Sequence, residues 1–95
     1  HRPDRKNAVD VETMTRFRSV IEEVSHDDSR VVVLTGAGTD FCSGADLKAG
    51  IQPGHDVTAF LRDTTNPAIL AMRTSPKPFI AKVRGVAAGI GCNYA

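Results

Sequence analysis

The residues best suited to chemistry in this 95-residue chain are two stretches of small side chains, each following an apolar run. The first is "TDFCSGADLK", residues 39–48, after "RVVVLTGAG", and the second is "GVAAGIG", residues 85–91, after "FIAKV". Gly and Ala leave room for a ligand to approach backbone N–H groups closely. If the two loops lie side by side, one N–H from each can stabilise a developing oxyanion. The same composition also suits a pair of ordinary tight turns.

Several familiar nucleotide-binding and catalytic motifs are absent from the sequence. "GAGTDF" has Phe41 where a dinucleotide fingerprint requires Gly, and neither a Walker loop nor a G-x-S-x-G elbow occurs in the sequence. Cys42 and Cys92 have no C-x-x-C spacing and no His placed near either as a partner. We therefore expect no metal site and no disulfide framework, which fits a reducing, cytoplasmic compartment.

Charge and hydropathy narrow the class of protein further. Twelve basic and eleven acidic residues give a formal charge of +1, which argues against a nucleic-acid-binding surface. No apolar run approaches the ~20 residues of a membrane span, and the start "HRPDRKN" lacks the apolar core of a signal peptide. The sequence predicts a single soluble domain at most, and its missing initial Met and abrupt end suggest part of a longer protein.

The elements that must position the two loops alternate between helix and strand. Apolar residues at steps of three and four from Val11 to Val24 predict an amphipathic helix, with Asp10 as N-cap and an end near "SHDDS". The continuous apolar run Val31 to Leu34 predicts a strand covered on both faces, and "FIAKV" predicts a second strand. This order indicates an α/β fold.

The region between the strands is predicted to be largely helical. Gly50 to Asp56 is expected to be irregular and mobile because it contains Pro and two Gly. Val57 to Thr65 predicts one helical segment, and Asn66 with Pro67 predicts a new helix start, with Asn as N-cap. We expect Ile69, Leu70 and Met72 to face inward in that second helix.

Three segments together resemble a known family. "HRPDRKNAV", "VVVLTGAGTDFCSGADLK" and "SPKPFIAKVRGVAAGIGCNYA" are similar, in order and spacing, to the N-terminal part of the crotonase superfamily, the enoyl-CoA hydratase/isomerase family. The resemblance covers nearly the whole chain, so residues 1–95 would be the N-terminal part of one acyl-CoA-binding domain. It implies a crotonase-like superfold of repeated ββα units, with two roughly perpendicular sheets, in homotrimers or dimers of trimers.

The resemblance also implies the site and its substrate, an acyl-CoA thioester, with coenzyme A belonging to the substrate and no separate cofactor. The oxyanion-hole N–H groups would belong to Ala45 and Ile90, and Lys48 would reach the CoA phosphates. Taken alone, such a lysine is more often a solvated surface charge. Asp46 looks structural, as an acceptor of backbone hydrogen bonds. The substrate-binding positions implied by the resemblance are Arg5, Lys6, Ala8, Ser43, Gly44, Ala45, Asp46, Leu47, Lys48, Gly89 and Ile90.

One departure from the family pattern bears on the reaction. Hydratases of this family use two glutamates, but Asn93 stands at the first of these positions, and the second would lie beyond Ala95. An amide is not a proton acceptor near neutral pH. The sequence therefore favours isomerase-type or other crotonase chemistry, within fatty acid metabolism, over a typical hydratase. Two alternatives stay open, an acyl-CoA-binding protein without turnover and an inactive structural fragment.

Overall fold

The computed structural model describes residues 1–49 and 56–95, which alternate between helices and two strands. The elements are α1 (Val11–His26), β1 (Val32–Thr35), α2 (Val57–Phe60), α3 (Asn66–Thr74), β2 (Phe79–Lys82) and α4 (Ile90–Tyr94). A 3-10 turn (Pro3–Arg5) precedes α1, and a π-helical segment (Leu61–Thr65) joins α2 to α3. The predicted α/β arrangement is confirmed. The mobile segment predicted at Gly50 to Asp56 lies outside the described residues except for Asp56, which caps α2.

Helix α1 begins where local sequence predicts. The Asp10 carboxylate accepts hydrogen bonds from the backbone N–H of Thr13, at 2.8 Å, and from its hydroxyl, at 2.6 Å. These bonds satisfy a donor that has no partner inside the helix. Met14 and Ile21 lie on the buried face, each 1% exposed. No helix in the described part of the chain has the length and apolar content that a membrane span requires.

The two strands form a parallel pair with one open face. Val32 lies opposite Phe79 and Thr35 opposite Lys82. On one face Leu34 packs against the core, whereas on the other Val33 is 56% exposed and Ile80 is 54% exposed. The prediction that β1 is covered on both faces is therefore wrong for the described residues. This two-stranded sheet is also the only one they form, so the two perpendicular sheets implied by the resemblance are not both present here.

Helix α3 begins at Asn66 with Pro67 in its first turn, as predicted, but the prediction that Asn66 is an N-cap is wrong. Asn66 has helical dihedral angles, φ −62° and ψ −39°, and the chain runs from α2 through the π-helical segment into α3 without a break. Pro67 lacks an N–H and its ring clashes with the carbonyl four residues earlier in a regular α-helix. The wider π-turns immediately before it relieve this clash. Proline therefore marks the point at which an already helical chain returns from π-helical to α-helical geometry.

The core lies between α1, α3 and the end of β1. Its buried cluster consists of Val9, Met14, Phe41, Cys42 and Tyr94. The Phe17 ring packs edge-on against Tyr94, with centroids 4.8 Å apart. This cluster lies directly beneath the first small-residue loop, because Phe41 and Cys42 belong to both.

Helix α3 turns only part of its predicted apolar set toward this core. Ile69 and Met72 pack against it as predicted, but Leu70 is 59% exposed. Successive residues of a helix are about 100° apart, so Leu70 points almost opposite to Met72. The two side chains cannot share one face.

Lys77 ties the end of α1 to the segment that leads into β2. Its ammonium group donates to the carbonyl oxygens of Val24 and Asp27, to the Asp27 carboxylate and to the Ser29 hydroxyl. The Lys77 side chain is only 11% exposed. The hydrogen bond from Lys77, together with those from Ser29, lowers the pKa of Asp27 from 3.8 to about 2.

This clamp predicts an acid-sensitive share of stability. Because the pKa of Asp27 is lower in the folded state, its stabilisation is complete above pH 3.8 and is lost as the pH falls towards 2. Lys77→Met should lower the urea midpoint of unfolding at pH 6, and its difference from the parent should shrink at pH 2.5. Lys82→Met, a change at an exposed lysine of β2, serves as the control and should follow the parent. A Lys77→Met deficit that is equal at both pH values would contradict the prediction.

Candidate active site

The two small-residue loops lie side by side because the parallel pairing continues beyond β1 and β2. Cys42 forms a bridge with Ala87, in which the Cys42 N–H donates to the Val86 carbonyl at 2.9 Å and the Ala88 N–H donates to the Cys42 carbonyl at 3.0 Å. Two residues further along each loop, Gly44 meets Gly89. The loops are thus one paired structure and not two independent turns.

Glycine is required at both points of this contact. Gly44 has φ of 105° and Gly89 has φ of 53°, backbone conformations that side chains with a Cβ rarely adopt. A Cβ on Gly44 would also lie 3.1 Å from the Ala88 carbonyl oxygen, and one on Gly89 would lie 3.8 Å from the Gly44 Cα. The absence of side chains is what allows the two backbones to approach.

The backbone N–H of Ala45 follows directly after this contact. On either side of it, the Val9 N–H donates to the Gly44 carbonyl at 2.9 Å and the Asp46 N–H donates to the Val9 carbonyl at 2.8 Å. In a parallel bridge this pattern turns the N–H of the middle residue away from its partner strand. Within residues 1–49 and 56–95 the Ala45 N–H has no acceptor, and the residue is exposed.

The matching residue of the second loop is Ile90, the first residue of α4. The N–H groups after it are occupied, since Gly91 donates to Ala88 at 2.8 Å and Cys92 donates to Gly89 at 3.0 Å. In the described part of the chain the Ile90 N–H has no acceptor and no side chain caps it. Ala45 and Ile90 each directly follow one of the two glycines in contact, and each has an N–H without an acceptor among the described residues.

An open cleft of about 400 Å³ begins at Ala45 and contains most of the predicted binding positions. Arg5, Lys6, Ala8, Ser43, Ala45, Asp46, Leu47 and Lys48 all line it, together with Asp4. Gly44, Gly89 and Ile90 lie at the loop junction and do not line it. Backbone contacts hold its two walls together, because the Ser43 N–H donates to the Lys6 carbonyl at 3.0 Å.

The cleft presents basic side chains above one buried carboxylate. Asp46 is 6% exposed, and one of its oxygens accepts from the N–H groups of Lys48, at 3.1 Å, and Ala49, at 3.3 Å. Burial raises the pKa of Asp46, but these bonds and the nearby Arg5 and Arg2 outweigh it and hold the pKa below 3.8. Asp46 is therefore an ionised brace for its loop, as the sequence predicts, and Lys6 and Lys48 are exposed at the cleft surface.

A second, small cavity also borders Ala45. It has a volume of about 30 Å³, and Val9, Val11, Ala49 and Phe60 give it a mainly apolar lining. Ala45, Asp46 and Leu47 line both spaces. Ala45 therefore borders both a basic cleft and a small apolar cavity.

Two residues that were not predicted from the sequence, Arg2 and Asn7, hold the N-terminal wall of the cleft. Asn7 is buried, accepts from the Arg2 N–H at 2.9 Å, and donates to the carbonyls of Ala37 at 2.8 Å and Asp40 at 2.7 Å. Arg2 contacts Asp46 with its guanidinium group. The available signal was Asn7 itself, because Asn is enriched at positive φ and this residue has φ of 54°.

Candidate acids and bases are scarce in this site. Among the described residues, only Asp4 and Asp46 place a carboxyl group in the basic cleft. Asn93 is exposed on α4. No group of three His, Cys, Asp or Glu side chains suited to a metal ion occurs in the described part of the chain.

Comparison with known proteins identifies a family. The family model described as enoyl-CoA hydratase/isomerase matches residues 1–95. A protein named probable enoyl-CoA hydratase from Rhodobacter capsulatus is 35% identical over 94 residues, covering 99% of this chain and 36% of that protein. The 1,2-epoxyphenylacetyl-CoA isomerase of Escherichia coli is 35% identical over 100 residues, covering 100% of this chain and 38% of that enzyme.

Solved structures agree on the fold. A crystal structure of a probable enoyl-CoA hydratase/isomerase from Mycobacterium abscessus superposes with a TM-score of 0.82 at 40% identity, covering 100% of this chain and 37% of that one. The predicted crotonase-like fold is therefore confirmed. The chain spans a little over a third of the length of the relatives it matches.

The loop junction predicts a strong effect of adding one methyl group. Gly44→Ala should lower the free energy of unfolding of the native protein by about 1–3 kcal/mol, because the residue keeps positive φ and its Cβ crowds Ala88. Urea denaturation measures this loss. Ser43→Ala, one residue earlier, loses only an exposed hydrogen bond and should stay within about 0.5 kcal/mol of the parent. Equal unfolding free energies for the two variants would contradict the role assigned to Gly44.

Proposed function

Because this chain belongs to the enoyl-CoA hydratase/isomerase family, we propose that its protein binds an acyl-CoA thioester and stabilises the enolate of that thioester. The donors in this proposal are the backbone N–H groups of Ala45 and Ile90. One observation carries it, namely that both N–H groups lack acceptors in the described chain and follow directly after the contact between Gly44 and Gly89.

Such donors suit the charge that develops in this chemistry. Removal of a proton next to a thioester carbonyl moves negative charge onto the carbonyl oxygen. Fixed N–H groups stabilise this charge without having to reorient, at about 2.7–4 kcal/mol for one donor. The Ala45 donor is fixed because both of its neighbours are hydrogen-bonded to Val9.

The basic cleft suits the coenzyme portion of the substrate. Arg5, Lys6 and Lys48 line its wall and surface, and the phosphate groups of CoA are anionic. Charge-assisted hydrogen bonds to phosphate are stronger than neutral ones. The backbone of Lys48 is held by Asp46, so the side chain projects from a fixed point.

The small apolar cavity marks one edge of the proposed acyl site. Val11 and Phe60 line it next to Ala45. With a volume of about 30 Å³ it holds a group no larger than a water molecule. The acyl chain in this proposal therefore lies mainly against parts of the protein outside the described residues.

We propose isomerase-type or other crotonase chemistry over hydration. Asn93 is an amide and is not a proton acceptor near neutral pH, and both oxygens of Asp46 are already bonded to the protein. A catalytic base in this proposal belongs to a part of the protein outside the described residues. The second candidate function is acyl-CoA binding without turnover, which the same shortage of carboxylates favours. Trimeric assembly, a cytoplasmic location and a role in fatty acid metabolism stay predictions.

The reaction type is tested through Asn93. The full-length protein should move the double bond of a 3-enoyl-CoA faster than it hydrates a 2-enoyl-CoA, and Asn93→Ala should keep its kcat within about twofold, because the amide transfers no proton. Absorbance of the conjugated thioester follows both reactions. Strong hydration by the parent that is lost in Asn93→Ala would contradict the assignment. Binding without any turnover would favour the second candidate.

The CoA site is tested through Lys48. Lys48→Met should raise the Kd for CoA about tenfold at low salt, and the difference from the parent should narrow as ionic strength rises. Isothermal titration calorimetry measures both values. Arg73→Met removes an exposed charge from α3, away from the cleft, and should bind CoA like the parent. Equal affinities for the Lys48 and Arg73 variants would contradict the placement of the phosphates.

A further inference from the structure

The guanidinium group of Arg2 is bonded to three separate acceptors. One nitrogen donates to the Ala8 carbonyl at 2.7 Å, and another contacts the carboxylates of Asp46 at 3.1 Å and Asp10 at 3.0 Å. Arg2 is 27% exposed, and Asp46 only 4%, measured over the side chains. This is an ordered crosslink and not a solvated surface pair.

The three acceptors surround one backbone feature, the bridge between Val9 and Ala45. Ala8 and Asp10 flank Val9 on its own segment, and Asp46 follows Ala45 on the other. The two bridge hydrogen bonds, from Val9 to Gly44 and from Asp46 to Val9, fix the peptide units on both sides of Ala45. Arg2 therefore joins both segments of the bridge through side-chain contacts.

We infer that Arg2 is a positioning residue that holds the Ala45 N–H in place for the thioester oxygen. The inference rests on the proposed function, because it gives Arg2 a purpose only if Ala45 is an oxyanion donor. Arg2 itself does not touch the substrate. It acts by fixing Asp46 and the segment around Val9, between which the Ala45 peptide is held.

Arginine suits this task better than lysine. Its planar guanidinium group presents several N–H donors in fixed directions, whereas a lysine ammonium group is a single point charge on a flexible chain. The three acceptors lie on two separate segments of the chain, so a guanidinium group can reach all of them where an ammonium group cannot. Arg5 is no substitute, because its single contact with Asp46 is 3.5 Å long and its side chain is 45% exposed.

Asp46 is ionised in this arrangement, and Arg5 contributes more than Arg2 to the lowering of its pKa. Its pKa is held below 3.8, against the effect of its burial, by the N–H groups of Lys48 and Ala49 and by the charges of Arg5 and Arg2. Asp46 thus remains a charged anchor at neutral pH. Without Arg2, this nearly buried carboxylate keeps its backbone bonds but loses the link to Ala8 and Asp10.

The experiment compares Arg2→Met, Arg2→Lys and a control, Arg18→Met, in the full-length protein. Arg18 is a surface residue of α1 paired with Glu22, 51% exposed. Turnover of a panel of 2-enoyl-CoA and 3-enoyl-CoA thioesters gives kcat, calorimetry gives the Kd for free CoA, and hydrogen exchange followed by mass spectrometry reports on residues 44–49. All measurements are made well below each variant's melting temperature.

For Arg2→Met we expect a kcat lower by about tenfold to a hundredfold, as misplaced catalytic groups typically cause. The Kd for CoA, which has no thioester, should change by less than about threefold. Exchange over residues 44–49 should be at least about fivefold faster. Arg2→Lys should recover part of the lost kcat, and Arg18→Met should match the parent in all three measurements.

Three results would overturn the inference. Unchanged exchange over residues 44–49 in Arg2→Met would remove its structural basis. Faster exchange with unchanged kcat would mean that a fixed Ala45 is not needed, and a rise in Kd for CoA parallel to the loss of kcat would indicate general damage to the cleft. A parent protein that binds CoA but turns over no thioester would reject the proposed enzymatic function itself, and Arg2 would then be only a structural crosslink.

Discussion

The close contact between Gly44 and Gly89 is the constraint on which the rest of the site depends. The two glycines bring a loop from the end of β1 against a loop from the end of β2, with no side chain between them. Every other feature of the site is arranged around this contact. The strands deliver the loops in parallel, the bridge between Cys42 and Ala87 sets their register, and the core cluster supports them from below. A Cβ at either position would strain the backbone because both glycines have positive φ, and at Gly44 it would also crowd the Ala88 carbonyl.

The site also depends on a carboxylate, that of Asp46, which is buried close to the protein surface. Asp46 has most of its surface removed from water, and an isolated buried carboxylate is costly unless it is paired and hydrogen-bonded. Here two backbone N–H groups and two arginines satisfy it. The result is a loop held by several hydrogen bonds next to the Ala45 N–H, in a fold whose described core is small. At this point hydrogen bonds take the place of apolar packing.

The parts of the fold that follow local rules could be predicted from the sequence. Helix α1 has its cap, Asp10, and its apolar period within one segment, and the two strands are short apolar runs ended by glycine. The predictions were wrong where a neighbouring residue or a distant segment of the chain determines the local structure. Pro67 sits within a continuous helix because of the π-turns before it, and the exposure of Val33 depends on what covers the sheet.

In the candidate site, too, the features set by local sequence could be predicted and those set by distant contacts could not. The two loops could be recognised in the sequence by their small residues, because backbone positions with positive φ favour glycine. The contact of Arg2 with Asp46 joins residues 44 apart in sequence, and no local pattern reports it. The binding positions of the cleft could be named only through family resemblance, since Arg5 and Lys48 look like ordinary surface charges on their own.

A site built from backbone donors separates substrate polarisation from the choice of reaction. The N–H groups of Ala45 and Ile90 need room and a fixed direction, but no particular side chain. Proton transfer, in contrast, needs a specific acid or base. In the proposed function, an amide such as that of Asn93 can therefore change the reaction while the polarising loops stay intact. The similarity of this one segment to proteins named for a hydratase and for an isomerase, at 35% identity in each case, is consistent with that separation. In the proposed function, the two glycine-rich loops polarise the thioester, and carboxylates elsewhere in the protein determine the reaction.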